Sequence, residues 1–310
     1  MGESSAIEWT DATWNLWDGC DQVSPGCAHC YITRQPPFRT TGRKFVNGST
    51  ERRIYENRLM LPGTSKWRDP RFVFVNSLSD FWLQDIPNSL RDRALASMAI
   101  HHQHTYQILT KRADAALAYL NDPGLPERVG IEMIDLMAPG GRPKHLPASL
   151  WPRWPLKHVW IGVTAENQRM ADERIPRLLE MIAAVRFVSY EPLLSAIDVR
   201  RWLSMLDWGI GGGESGYNAR PMRADWARGL RDQHVDAGKP FHFKQWGEWG
   251  PVTRDNIGGY YLAPDGTEHR LDEDRVRDFS DGLLGRIGKK AAGRLLDGVE
   301  WNGRPAARAA

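Results

Sequence analysis

Cysteine is nearly absent. The 310-residue chain has three, Cys20, Cys27 and Cys30, all in one short stretch. An odd, crowded set of thiols excludes a disulfide framework. Long apolar runs are missing too: none approaches the roughly 18 residues a membrane helix needs. The opening residues, MGESSAIEWTDATW, hold neither a basic n-region nor an apolar h-region, so no signal peptide is expected there. Together these absences predict a cytoplasmic protein with no membrane contact. Lysine is scarce, nine of 41 cations, and the net charge is only +3. Charge alone therefore does not mark a dedicated nucleic-acid binder.

What is present is core material. The chain is 41% hydrophobic with 14 Trp, which excludes disorder over most of its length. Short apolar runs with polar ends recur: Thr13–Trp17, Arg71–Asp80, Tyr106–Arg112, His158–Glu166, Val185–Glu191, Asp207–Glu214 and Pro240–Trp246. Each reads as a buried strand. Helical patterns lie between them at Asn88–His101, which opens on a capping signal, and at Ala113–Leu120, Asn167–Ala183 and Ala224–Ala237. Alternation of this kind predicts an α/β fold, a partial or complete (β/α) barrel of six to eight mainly parallel strands over residues 1–247. The barrel carries a cysteine loop at 18–33 and a Pro/Gly-rich insertion or lid at 122–157. Residues 248–310 read as a C-terminal extension with a hairpin (YYLAPDGTEHRL) and a basic segment (GRIGKKAAGRLLDG).

The spacing Cys20-x6-Cys27-x2-Cys30 follows the first predicted strand, and the intervening DQVSPG is turn-forming. Three thiolates leave one iron of a [4Fe–4S] cluster without a protein ligand. A structural zinc would want a fourth ligand, which His29 offers. The other strand ends supply polar groups: Ser77, Ser79 and Asp80, then Thr110 and Lys111, Thr164 and Glu166, Ser189, Tyr190 and Glu191, Glu214 with Ser215 and Arg220, and Lys244, Gln245 and Trp246. Gly211-Gly212-Gly213 reads either as a close approach of backbone to a ligand or as a tight strand-to-helix turn.

A three-cysteine loop after the first barrel strand, with Tyr31 directly after the last Cys, resembles the radical S-adenosylmethionine (SAM) superfamily. The usual spacing there is C-x3-C-x2-C, so this chain is wider by three residues in the first gap. Over residues 5–305 the chain more closely resembles a phage- and bacteria-associated family of unknown function with the wider motif. The marks are WNLWDGCDQVSPGCAHCY, FVNSLSD, ILTKR, WIGVTAEN, SYEPLL, GGESG, FKQWG and GKKAAGRLLDG. The resemblance implies a [4Fe–4S] cluster on Cys20, Cys27 and Cys30 that binds SAM for reductive cleavage. It also implies a low-potential electron donor, a ferredoxin or flavodoxin. Under it Ser77, Ser79 and Asp80 meet the methionine amino group, and Thr110 and Lys111 meet its carboxylate, a layout similar to spore photoproduct lyase. Thr164 and Glu166 meet the ribose, and Tyr31 and Ser189 complete the cofactor site. Tyr190, Glu191, Glu214, Arg220 and Lys244 face the substrate, with Tyr190 a candidate hydrogen donor.

For the substrate, a nucleic-acid base or nucleotide is the leading expectation. The cations of Arg34–Lys66 with Arg220, Arg223, Lys289 and Lys290 suit phosphates, and Trp246, Trp249, Tyr260 and Tyr261 suit base stacking. Two other classes stay open: a non-catalytic zinc or Fe–S phage protein that contacts DNA or a partner protein, and a metal-dependent hydrolase-type barrel using Asp80, Glu191 and Glu214.

Overall fold

The computed structural model describes residues 5–64, 67–138, 151–253, 260–262, 268–270, 272–280 and 282–306. Seven strands form one sheet: β1 (Ala12–Trp14), β2 (Phe72–Val75), β3 (Thr105–Thr110), β4 (Val159–Thr164), β5 (Val185–Tyr190), β6 (Trp208–Gly212) and β7 (Phe241–Gln245). They pair in chain order, and every pair is parallel. β1 and β7 do not pair with each other, so the sheet is an open partial (β/α) barrel. The helices of the repeat are α1 (Asn88–Ile100), α2 (Ala113–Leu120), α3 (Leu125–Met137), α4 (Gln168–Glu180) and α5 (Ala224–Asp236). No helix among the described residues is long and apolar enough to cross a membrane.

Strand alternation sends two apolar sets to two faces. Phe74, Trp160, Val185, Phe187, Trp208 and Ile210 point inward around Trp9 from the N-terminal segment. Val73, Val75, Ile108, Ile161, Val163 and Val188 point outward, in one core with Leu95, Ile175, Leu178 and Leu230 of the helices. Each fully buried side chain of this size contributes roughly 1.5–3 kcal/mol of burial. Both faces being buried explains why the strand sequences are apolar throughout.

The α1 cap differs from the sequence reading. Pro87 is the capping residue, and no side chain caps the helix. Asn167 does cap α4, its side chain accepting from Met170 N at 3.0 Å. The 122–157 insertion is partly a packed element: Leu125–Met137 is helical, and Arg128 binds Asp92 of α1 at 2.9 Å. Residues 139–150 lie outside the described set. In the C-terminal extension, Tyr260–Leu262 pairs antiparallel with Glu268–Arg270; the Asp265-Gly266 turn lies outside the described residues. Residues 301–303 return to cover the β7 edge, with Phe243 N donating to Trp301 O at 2.9 Å and Gly303 N to Phe241 O at 3.0 Å. An edge paired in this way cannot recruit another chain.

Candidate functional site

A cavity of about 750 Å³ opens at the C-terminal ends of the strands, the end where barrels of this class carry their chemistry. Cys20, Cys27 and Cys30 all line it, as do Tyr31, Ser77, Ser79, Asp80, Thr110, Lys111, Thr164, Ser189, Glu191, Glu214 and Lys244. Its volume is in the range of small-molecule sites.

The cysteines are free thiols. Burial first, and Asp80 second, push the Cys20 thiol up to about 11 against the opposing charge of Arg112. Burial also raises Cys30, opposed by Lys111. Arg112 bridges the loop to the sheet: its guanidinium is 3.8 Å from Cys20 Sγ and 3.3 Å from Asp80 Oδ2. Among the described residues no three His, Cys, Asp or Glu side chains converge tightly enough for one metal ion. A single tetrahedral zinc with 2.3 Å bonds would need its sulfurs about 3.8 Å apart. A multi-iron cluster takes each thiolate on a different iron and accepts a wider spread. His29 lines the same cavity, its Nδ1 lying 3.2 Å from Glu214 Oε2. The donor set, three thiols around one cavity, is compatible with a cluster held by three cysteines. Asp80, Glu191 and Glu214 form no group that could hold a metal ion either.

Several carboxylates assigned to ligands hold the protein instead. Asp80 accepts from Thr110 Oγ1 at 2.7 Å, Lys111 N at 2.9 Å and Trp82 N at 2.9 Å. With Arg112 these contacts fill its acceptor positions, so it clamps the ends of β2 and β3 together and is not available as an amino-group receptor. Ser79 Oγ donates to Gly19 O at 2.5 Å, and Ser77 Oγ exchanges hydrogen bonds with Asn15. Glu166 is fully buried and is not on the cavity wall. It accepts from Gly26 N at 3.0 Å and pairs with Arg174 at 3.1 Å. Burial opposes its ionisation, yet the Ser24 and Gly26 hydrogen bonds and the Arg174 charge bring its pKa below the ordinary carboxylate value. Glu166 thus ties the cysteine loop to β4, and its place against a ribose is withdrawn.

The loop is pinned from its other side by Glu214. Arg220 donates to it from Nε at 2.8 Å and Nη2 at 2.6 Å, and Arg220 Nη2 also reaches Pro25 O at 3.0 Å. Burial raises the Glu214 pKa, but Arg220 and His29 bring the net shift below the ordinary value. Arg220 itself does not line the cavity.

Tyr190 faces the helices. It ends β5 on the outward parity, packs on His234 with ring centroids 5.7 Å apart, and is fully buried, which pushes its pKa upward. A hydrogen-donor role in the cavity is excluded by that direction. Tyr31 keeps its ring toward the cavity while its hydroxyl donates to Ser77 O. Lys244 pairs with Glu191 at 2.7 Å. Among the described residues Lys111 Nζ contacts Thr164 Oγ1, at 3.5 Å. The glycine triplet serves packing: a Cβ on Gly213 would come 1.8 Å from Trp246 O, and one on Gly211 would meet the Phe241 ring at 2.9 Å.

The nucleic-acid surface is not assembled as expected. Trp246 and Trp249 are buried, their indole N–H groups donating to Leu295 O and Ala219 O. The side chains of Tyr260 and Tyr261, and Lys66, fall outside the described residues. Arg34, Arg43, Arg52 and Arg58 bind within the protein, to Ser215 O, Asp18, Asp21 and Asn15 O. Sequence reasoning overlooked Arg112, Asn15 and Arg174. A cation directly after Lys111 and a polar Asn inside TWNLW were visible signals; Arg174 had none.

A family model described as a protein of unknown function (DUF5131) matches residues 4–305. No curated protein and no solved structure matches the chain.

Proposed function

The chain belongs to that family of unknown function, and we propose that it is a radical SAM enzyme acting on a nucleobase or nucleotide. One observation carries the reading: three thiols, Cys20, Cys27 and Cys30, open into a single cavity at the polar ends of the strands. Cys20, Cys27 and Cys30 would hold a [4Fe–4S] cluster. Together with SAM, the cluster supplies a one-electron route to a carbon radical able to take hydrogen from an unactivated C–H bond. The protein's part is binding, orientation and exclusion of water.

Lys111 is the residue best suited to a carboxylate ligand, because no carboxylate of the chain competes for its ammonium within ion-pair distance among the described contacts. Asp80 and Arg112 fix the wall beside Cys20, and Glu166 and Glu214 hold the loop between them. Lys244 is neutralised by Glu191 at the β5–β7 end of the cavity. That favours an uncharged group of a single base or nucleotide over a polymer lying on the surface. The reading calls for a low-potential electron donor, a ferredoxin or flavodoxin.

Anaerobic purification tests it. The expected protein is brown, holds iron and acid-labile sulfide in equal amounts, and forms 5′-deoxyadenosine from SAM and dithionite. A colourless protein carrying zinc alone, or turnover without deoxyadenosine, would overturn the proposal.

A further inference from the structure

The β7 end of the cavity holds an unused polar group. Gln245 is 6% exposed, lines the cavity, and among the described residues has no hydrogen-bond partner for Oε1. A buried acceptor left unpaired is costly, so its retention beside an open cavity points to a ligand. The amide is not loose. Its Nε2 donates to Ser215 Oγ at 3.0 Å, which turns Oε1 away from Ser215. Ser215 lines the same cavity, and having accepted from Gln245 its hydroxyl still has a proton to give. An acceptor and a donor thus stand side by side on one wall.

The surroundings define the ligand further. Trp9 also lines the cavity, is 2% exposed, and has an indole N–H without a partner. Phe74, 4.7 Å from it between ring centroids, extends the aromatic wall. These buried rings make part of the cavity wall apolar, which suits an uncharged ligand. The nearby Lys244 is paired with Glu191, so that ammonium is not free for a phosphate.

The geometry points to a subsite for an amino-bearing nucleobase, whose exocyclic amine donates to Gln245 Oε1 while the adjacent ring nitrogen accepts from Ser215 Oγ. Adenine and cytosine present that amine-and-nitrogen edge; uracil and hypoxanthine present a carbonyl and an N–H instead. The inference deepens the proposed function, and rests on it for treating the bound base as substrate.

Calorimetric titration of the full-length, anaerobically purified protein tests the subsite directly. Two probe pairs differ only in the amine: cytidine against pyrimidin-2-one riboside, and adenosine against purine riboside. SAM is present throughout to fill the cofactor's own adenine site. The amino nucleosides should bind about tenfold more tightly than their partners. Gln245→Leu should erase that preference by weakening the amino nucleosides alone, and Ser215→Ala, which frees the amide to turn, should narrow it. Circular dichroism verifies that both variants are folded. Equal binding within each pair, tighter binding of uridine or inosine, a preference that survives Gln245→Leu, or no nucleoside binding at all would overturn the subsite. A Gln245-dependent preference in protein that contains no iron would keep the subsite and remove the radical reading. Deoxyadenosine formation without any preference would do the reverse.

Discussion

Lys111 and Asp80 are neighbours in space with opposite fates. The Asp80 carboxylate is consumed by Thr110, Lys111 N, Trp82 N and Arg112, whereas the Lys111 ammonium keeps one long contact with Thr164. Lys111→Ala should therefore weaken SAM binding about tenfold, with iron content unchanged, as measured by equilibrium dialysis; unchanged affinity would remove Lys111 from the carboxylate role. Glu166 belongs to stability. Glu166→Gln leaves the Arg174 guanidinium buried without its counter-charge, a loss of about 3 kcal/mol that a thermal melt would register as a drop of several degrees. The identity of these polar residues was legible in the sequence, but their partners were not. Glu166 meets Gly26 across 140 positions, and no local pattern encodes such a distance. Tyr190 failed for another reason. In VRFVSY both faces of the strand are buried, so the two-residue alternation carries no signal of inside and outside.

At the level of elements the reading was easier. Runs of β-branched and aromatic residues between helical periods gave all seven strands, and four of the five helices agree to within a few residues, because each is driven by its own local pattern, whereas Leu125–Met137 lay inside the stretch read as an insertion. The cysteine loop is a separate element: short 3-10 turns at Pro25–Cys27 and Tyr31–Arg34, held at both ends by carboxylates and outside the strand core. Cys27→Ala should accordingly abolish iron uptake and leave far-ultraviolet circular dichroism intact; near-normal iron would contradict the ligand assignment. Two glycines separate packing from propensity. Gly213→Ala drives a Cβ into the Trp246 carbonyl and should prevent accumulation of folded protein, while Gly229, in the interior of α5 with open space around it, should gain about 0.5–1 kcal/mol on change to Ala. Chemical denaturation of the two variants checks both signs.

Across the whole molecule, buried histidines set the response to acid. Burial lowers the pKa of His234 to about 4 and of His242 to about 3, and His101, His104 and His158 shift the same way. Folded values below the unfolded value of about 6.5 mean that the unfolded chain binds more protons. Stability is thus full above pH 7 and declines as pH falls through 6.5, by about 1.4 kcal/mol each for His234 and His242 at pH 5.5. Melting temperatures between pH 7.5 and 5.5 should fall accordingly; a flat profile would mean that these imidazoles are protonated in the fold. The open partial barrel, closed at β7 by residues 301–303, leaves one large strand-end cavity where the cysteine loop, Lys111 and Gln245 all meet. The proposed function requires an iron with an open coordination position in that cavity. Electron paramagnetic resonance of the dithionite-reduced protein, recorded with and without SAM, tests it most directly. A cluster signal that changes when SAM is added is the predicted result; a signal indifferent to SAM, or no cluster signal at all, would contradict it.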